Sequence, residues 1–147
     1  MAGLVCYYNS SKYHYLSISY DEALGKIIRV ISCIPDQAQP DVCTEPIAIP
    51  SGFPVHLRVE VDCERLLFAF QVRNQDWQWL PEQFDASILS DEAGPSGNPN
   101  FTGAFVGMCC QDLAGTLKEA DFDYFEYRER DYAAIPQQSP MRVSRIQ

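Results

Sequence analysis

The sequence predicts an all-β fold, an antiparallel sandwich or barrel, from three observations. Apolar and polar residues alternate along most of the chain, and no apolar stripe with the helical period of about 3.6 residues has a useful length. Strand-like runs recur about every 8–12 residues, with turn signals between them. Eight Tyr, eight Phe and two Trp residues also favour strands, because flat rings pack well on a pleated face.

Composition bounds the size of the domain and the kind of partner. The chain has 147 residues, of which 46% are hydrophobic and 21% charged, which is the balance of one globular domain with a core. The net charge is −9 and no basic run occurs, so nucleic acid and anionic membranes are poor partners, whereas sugars and other proteins remain open. No apolar run approaches the roughly 18–20 residues that cross a bilayer.

The clearest element is a hairpin in the middle of the chain. Residues 55–62 and 65–73 are two alternating runs separated by a turn at Cys63 and Glu64. Each run places its apolar side chains on one face, as a half-buried antiparallel strand does. These side chains are Val55, Leu57, Val59, Val61, Leu66, Phe68, Phe70 and Val72.

Six further segments have strand character: 2–9, 12–20, 26–34, 74–83, 103–110 and 120–129. The connection 35–54 carries five prolines and can hold only a short edge strand, which we expect at 47–49. Residues 85–100 have the composition of a loop. We therefore expect a sandwich over residues 1–130 and a frayed tail over 131–147.

The six cysteines favour reduced, mostly buried thiols over disulfides, because the chain is large enough to form a core without cross-links. No C-x-x-C pair occurs and only two histidines are present, so the sequence predicts no metal site and no cofactor. The adjacent residues Cys109 and Cys110 point to opposite faces of a strand, which indicates packing rather than redox chemistry.

The first residues do not form a signal peptide, because they lack a basic region and become polar after eight positions. The expectation on this chain alone is a cytoplasmic location, or secretion if the true N-terminus lies further upstream.

Two carboxylates and two tryptophans are the candidate chemical groups. Asp121 and Asp123 share a face of the predicted last strand, about 6.5–7 Å apart, near the separation of glycosidase acid pairs, about 5–9.5 Å. Every D-x-D in a strand has this spacing, so we assign no catalytic residue. The aromatic residues on both faces of the strand favour a strand covered on both sides.

Trp77 and Trp79 also share one face of their strand. We expect Trp77 in the core, since aromatic residues dominate core burial. Pro81 and Glu82 suggest a sheet edge, so Trp79 is a possible platform for a sugar ring. His14 has no acid or serine at a diagnostic spacing, and we expect it at the surface or a sheet edge.

Four stretches resemble one known family. FTGAFVGMCCQDLAGTLKEADFDYFEYRE at 101–129 is similar to the closing strands of the C-terminal concanavalin A-like β-sandwich of family 43 glycoside hydrolases, the β-xylosidase type. AGLVCYYNSSKYHYLSISYDE at 2–22, VHLRVEVDCERLLFAF at 55–70 and DASILSDE at 85–92 match earlier parts of the same domain in order. The resemblance spans residues 2–129 and implies a two-sheet, jelly-roll sandwich.

The resemblance also implies a function. In the family a five-bladed β-propeller carries three catalytic acids and hydrolyses xylosides and often arabinosides, and nothing in this chain matches it. A loop of the sandwich reaches the propeller's pocket, where an aromatic residue helps to close it; here the match is the loop before FTGAF, which makes Phe101 the capping residue.

The leading hypothesis is therefore a non-catalytic accessory sandwich of a xylan-degrading hydrolase. Its partner would be a β-propeller domain in the same or a separate chain, and it would meet xylo-oligosaccharide only indirectly. The alternatives are an independent carbohydrate-binding module that uses Trp79, and an autonomous enzyme that uses Asp121 and Asp123.

One departure from the family concerns completeness. The family's sandwich begins before the AGLVCYYN strand, so Met1 stands where the domain is already under way. We expect a sandwich that is incomplete at its N-terminus, with an unpaired sheet edge and part of the core uncovered.

Overall fold

The computed structural model describes residues 1–35, 41–42, 44–94 and 103–129. They form nine antiparallel strands in two sheets and one 3-10 turn, which confirms the all-β sandwich. In chain order the strands are β1 Ala2–Asn9, β2 Lys12–Asp21, β3 Gly25–Cys33, β4 Asp41–Val42, β5 Ile47–Ala48, β6 Val55–Asp62, β7 Arg65–Val72, β8 Gln78–Asp85 and β9 Phe105–Cys110. Across these ranges no helix is long and apolar enough to cross a membrane. The predicted tail, 131–147, lies outside the described residues.

The larger sheet has the order β4-β3-β2-β1-β9, and β5 pairs with β3 beside β4. The turn between β2 and β3 is fixed by the Asp21 carboxylate, which accepts from the backbone N–H groups of Ala23 and Leu24. Gly3 lies where β1 meets β2 most closely, since a Cβ atom there would stand 2.0 Å from the carbonyl oxygen of Leu16. Only a glycine tolerates this approach.

The smaller sheet has the order β6-β7-β8, so the predicted hairpin and the strand after it form one unit. β8 carries a bulge, because Leu67 and Ala69 of β7 face Gln83 and Trp79, which are four residues apart. Pro81 lies within this bulge on an edge strand. A proline is tolerated there because it need not donate a ladder hydrogen bond.

The core lies between the two sheets and follows the alternation of the sequence. The inward face of β7 is fully covered by apolar side chains of β2 and β3, together with residues from β1, β5 and β8. The buried members are Cys6, Leu16, Ile28, Val30, Ile49, Leu66, Phe68, Phe70, Val72, Leu80 and Phe84. The phase predicted for the hairpin is therefore confirmed, and Val55, Leu57 and Val59 of β6 pack on the margin of this cluster.

The strand predicted at 120–129 is wrong. These residues form no strand, and the aromatic rings of Phe122, Tyr124, Phe125 and Tyr127 are exposed rather than covered on both sides. After β9 the backbone N–H of Gln111 donates to the carbonyl of Met1, and the chain then turns. The Asp112 carboxylate accepts from the N–H groups of Ala114 and Leu117, which fixes the loop that leads to this segment.

One side of the sandwich is open. The larger sheet is five strands wide, whereas the smaller sheet has three. Met108 lies in register with Leu4 and hence with the core residue Leu16, and Val61 pairs with the core residue Leu66. Nevertheless Met108 is 47% exposed and Val61 49% exposed. Two side chains that face inward therefore meet solvent.

We predict that the chain self-associates through this open side when it is produced alone. Sedimentation velocity over a concentration series should show a weight-average sedimentation coefficient that rises with concentration. The double variant Val61→Lys, Met108→Lys should weaken association by about tenfold or more, because burying an unpaired ammonium group costs several kcal/mol. Leu24→Lys, in the exposed turn between β2 and β3, is the matched control. A wild-type chain that sediments as a monomer throughout and melts sharply would contradict the prediction.

Candidate functional site

The segment after β8 is tied to the body of the sandwich at several points. We call residues 85–94 the loop stem, because they lead into residues 95–102. Asp85 caps the 3-10 turn Ala86–Ile88 by accepting from the N–H of Ser87 at 2.8 Å. The N–H of Ala86 donates to the carbonyl of Glu64 at 2.8 Å, and Ile88 is buried. The first half of the stem is thus fixed to the hairpin turn of the smaller sheet.

A buried lysine fixes the second half of the stem. The Lys12 side chain is buried at the start of β2, and its Nζ donates to the carbonyl of Ser90 at 2.9 Å. The same ammonium group lies 4.8 Å from the centroid of the Tyr8 ring, a cation–π contact. The Tyr8 hydroxyl donates to the Asp91 carboxylate. One cation, one ring and one acid therefore join the β1–β2 hairpin to the stem.

His14 is buried between the sheets, so the expectation of a surface histidine is wrong. Its Nε2 lies 3.0 Å from the carbonyl oxygen of Asp85, which can only accept, so Nε2 carries the proton. In the neutral ring Nδ1 then accepts from the Ser32 hydroxyl at 2.6 Å. Because both nitrogens are satisfied, the imidazole can be buried. Burial lowers the pKa of His14, and the hydrogen bond to Asp85 opposes that shift.

Sequence reasoning missed Tyr8, Lys12 and His14 as a group. The alternation along β2 could have identified two of these residues, because Lys12 and His14 lie on the same face of the strand as the core residue Leu16. A lysine and a histidine on a core-facing phase predict buried polar partners. The partners themselves come from the stem, more than seventy positions away, and no local pattern names them.

Phe101, the predicted pocket-capping residue, lies outside the described residues. The structure describes the chain on both sides of it. Gly94 closes the stem with a φ of +106°, and a Cβ atom there would lie 3.6 Å from the Lys12 side chain. Gly103 and Ala104 are exposed and lead into β9.

The two tryptophans lie on the outer face of the smaller sheet. The guanidinium carbon of Arg58 is 5.6 Å from the centroid of each ring, and Arg58 also pairs with the Glu60 carboxylate. Trp77 is half-buried against Arg58 and outside the core cluster, so its predicted core position is wrong. Its strand begins only at Gln78, and the register of β8 leaves the ring on the solvent side.

Trp79 is 44% exposed, in agreement with a position at the surface of an edge strand. The Arg58 cation already contacts this ring, so a sugar that stacked on that side would have to displace it. The role of Trp79 as a sugar platform stays a prediction.

Asp121 and Asp123 are exposed on the extended segment that follows β9. This segment contacts the smaller sheet through Tyr124, whose hydroxyl oxygen lies 3.0 Å from Nδ1 of His56. The two carboxylates are therefore open to solvent and are not enclosed in a cleft.

Five of the six cysteines lie in the part of the chain that the structure describes, and all five are thiols outside any disulfide. Burial raises the pKa of the Cys6 thiol to about 12, so this cysteine is unreactive at neutral pH. Cys63 and Cys110 are exposed, so the expectation of mostly buried thiols holds only for part of the set. Among the same residues no group of three or more His, Cys, Asp or Glu side chains could hold a metal ion.

Comparison with known proteins identifies the domain. The sequence model of the β-xylosidase C-terminal concanavalin A-like domain matches residues 1–128. The chain belongs to this family.

Two curated relatives and one solved structure show the same similarity to this concanavalin A-like domain. The β-xylosidase of Bacillus subtilis is 37% identical over 131 residues, which are 88% of this chain and 24% of the relative. Xylosidase/arabinosidase 43B of Humicola insolens is 32% identical over 131 residues, 86% of this chain and 24% of that protein. The crystal structure of xylan β-1,4-xylosidase from Bacillus halodurans superimposes with a TM-score of 0.73 at 31% identity, covering 79% of this chain and 22% of that one.

The concanavalin A-like domain thus spans about a quarter of the length of the curated relatives it matches.

We predict that Lys12→Met loosens the loop stem locally. The change keeps the aliphatic part of the side chain and removes the charged donor to Ser90, and such a hydrogen bond contributes about 1.5–3 kcal/mol. Amide hydrogen exchange of residues 86–94 should accelerate by about tenfold or more, while the amides of β2 and β3 stay protected. Lys26→Met is the control, since Lys26 makes only a 3.4 Å contact with the carbonyl of Phe53 at the surface. Uniform acceleration over the chain, or none in the stem, would count against the anchoring role.

His14 should make stability depend on pH. Its pKa is lowered from 6.5 in the folded chain, and we take 6.5 for the unfolded chain. Above pH 6.5 both states are neutral at this position. As the pH falls below 6.5, the unfolded chain binds a proton that the folded chain does not, so the free energy of unfolding decreases until the pH passes the folded-state pKa.

Urea unfolding on both sides of pH 6.5 measures this slope. His14→Gln should reduce it, and His56→Gln, at the surface beside Tyr124, should leave it in place. Equal slopes in the wild type and His14→Gln would show that the buried imidazole is not the linked group.

Proposed function

We propose that this chain is the non-catalytic accessory sandwich of a xylan-degrading glycoside hydrolase of the β-xylosidase/α-arabinofuranosidase kind. It braces the catalytic β-propeller and helps to close the propeller's pocket. The observation that carries the proposal is the match of residues 1–128 to a β-xylosidase C-terminal domain, together with relatives that are about four times longer. The exposed positions of Asp121 and Asp123 agree with a chain that leaves bond cleavage to another domain.

The loop stem gives this accessory role a physical basis. A residue that closes a pocket from a neighbouring domain must be presented at a fixed place, because a misplacement of about 1 Å can cost a hundredfold in rate. The contacts of Tyr8, Lys12 and His14 fix the stem that precedes residues 95–102. Phe101 in that segment would then restrict the pocket to short substrates and exclude water from the reacting bond.

The test combines this chain with a catalytic partner of known activity. The Bacillus subtilis relative is produced without the segment that matches this chain, and hydrolysis of an aryl xyloside is measured with and without the chain added. The chain alone should give no turnover, and its addition should raise kcat/KM of the shortened relative. Phe101→Ala should lower kcat/KM of the mixture by about tenfold relative to the wild-type chain, which corresponds to ~1.4 kcal/mol of transition-state stabilisation. Phe53→Ala removes another exposed phenylalanine and should leave kcat/KM of the mixture unchanged.

Two outcomes would contradict the proposal. Turnover by the chain alone that disappears in Asp123→Asn would indicate an autonomous enzyme. Saturable binding of xylohexaose by the chain alone, followed by tryptophan fluorescence and lost in Trp79→Ala, would indicate an independent carbohydrate-binding module.

A further inference from the structure

A row of three aromatic rings crosses the outer face of the larger sheet. Phe105 of β9, Tyr7 of β1 and Tyr13 of β2 are directly opposite one another in the two registers. The rings of Tyr7 and Tyr13 have centroids 6.3 Å apart and planes inclined by 24°, so they lie side by side and nearly parallel. Directly opposed side chains share a face of the sheet, and this is the face turned away from the core.

The row is open to solvent at one end and is followed by a second uncharged row, in which Tyr15 is buried. Phe105 is 62% exposed and Tyr7 39% exposed. The next row along the sheet on this face is Val5, Tyr15 and Ile31, and the Tyr15 hydroxyl donates to the carbonyl of Cys109 at 3.0 Å. Six positions in two rows thus carry no charged side chain, although the chain has a net charge of −9.

The row lies at the same end of the sandwich as the loop stem. Tyr7 precedes Tyr8, whose hydroxyl binds Asp91 of the stem on the opposite face of the sheet. Phe105 is the first residue of β9 and follows the segment into which the stem leads. The row and the described part of the stem are therefore neighbours at the β1–β2 hairpin, on opposite faces of the larger sheet.

We propose that the row Phe105–Tyr7–Tyr13 is the surface on which the catalytic domain of the glycoside hydrolase packs. This inference rests on the proposed function and adds the place of contact. Aromatic enrichment with depletion of charge is the composition of the centre of a protein–protein interface. The relatives contain about three-quarters of their length outside the matched part, so such a partner domain exists in them.

Two other occupants fit the row less well. A second copy of this chain is expected to associate at the open side of the sandwich, where Val61 and Met108 are exposed, rather than at the row. A xylan chain needs polar side chains beside the rings to bind its hydroxyl groups, whereas the neighbouring row offers Val5 and Ile31.

The experiment measures binding rather than catalysis. The full chain is immobilised, and the Bacillus subtilis relative without the matching segment is the probe in biolayer interferometry. Phe105→Ser and Tyr7→Ser should each weaken binding by about thirtyfold, as truncation of an aromatic interface residue does. Tyr20→Ser, which changes a 74% exposed tyrosine at the other end of β2, is the matched control and should bind as the wild type does. Phe105→Tyr keeps the ring and should also bind normally.

The outcomes separate this inference from the proposed function. If the wild type binds and all variants bind equally well, the contact lies elsewhere and the row is not the interface, while the accessory role stands. If the wild type does not bind the probe, both the accessory role and the row are contradicted. If xylohexaose binds the wild type and not Tyr7→Ser, the row is a sugar platform and the proposal of domain packing is overturned.

Discussion

The packing of β7 against β2 and β3 is the constraint on which the rest of the molecule depends. Leu66, Phe68 and Phe70 project from the middle strand of the smaller sheet and are covered by the inner face of the larger one. Burial of such side chains contributes roughly 1.5–3 kcal/mol each. This layer fixes the distance between the sheets and holds β2, from which the Lys12 and His14 side chains reach the loop stem.

The stem shows how an apolar fold can hold a polar loop in place. Lys12 and His14 lie on the core-facing side of β2, where a charged or polar group is costly unless it is satisfied. The stem supplies the missing acceptors as the backbone carbonyls of Ser90 and Asp85. The dependence is mutual, because the buried side chains need the stem and the stem owes its position to them. A segment tied in this way can present the residues that follow it to a neighbouring domain.

The two sides of the sandwich differ in a way that fits a domain within a larger enzyme. One side is closed by the core and the stem, and the other leaves inward-facing residues such as Met108 in solvent. Exposed apolar surface is costly for an isolated domain, whereas it is common on a domain that packs against another part of a protein. The aromatic row on the outer face of the larger sheet has the same character. The open side and the row are the two surfaces at which we propose contacts with further polypeptide.

The sequence by itself determined the fold class, eight of the nine strands among the described residues and the inward phase of the hairpin, because alternation with a period of two is a local property of each strand. The family match also rests on the sequence alone. The predictions that failed concern where a segment or side chain lies relative to the rest of the fold. Residues 120–129 have a strand pattern, yet a strand forms only where a neighbour accepts its backbone hydrogen bonds. Trp77 lies outside the core and His14 is buried, the reverse of what was expected, for the same kind of reason. Burial is decided by which partner arrives from a distant part of the chain, such as the carbonyl of Asp85 for His14, and only the tertiary structure brings those partners together.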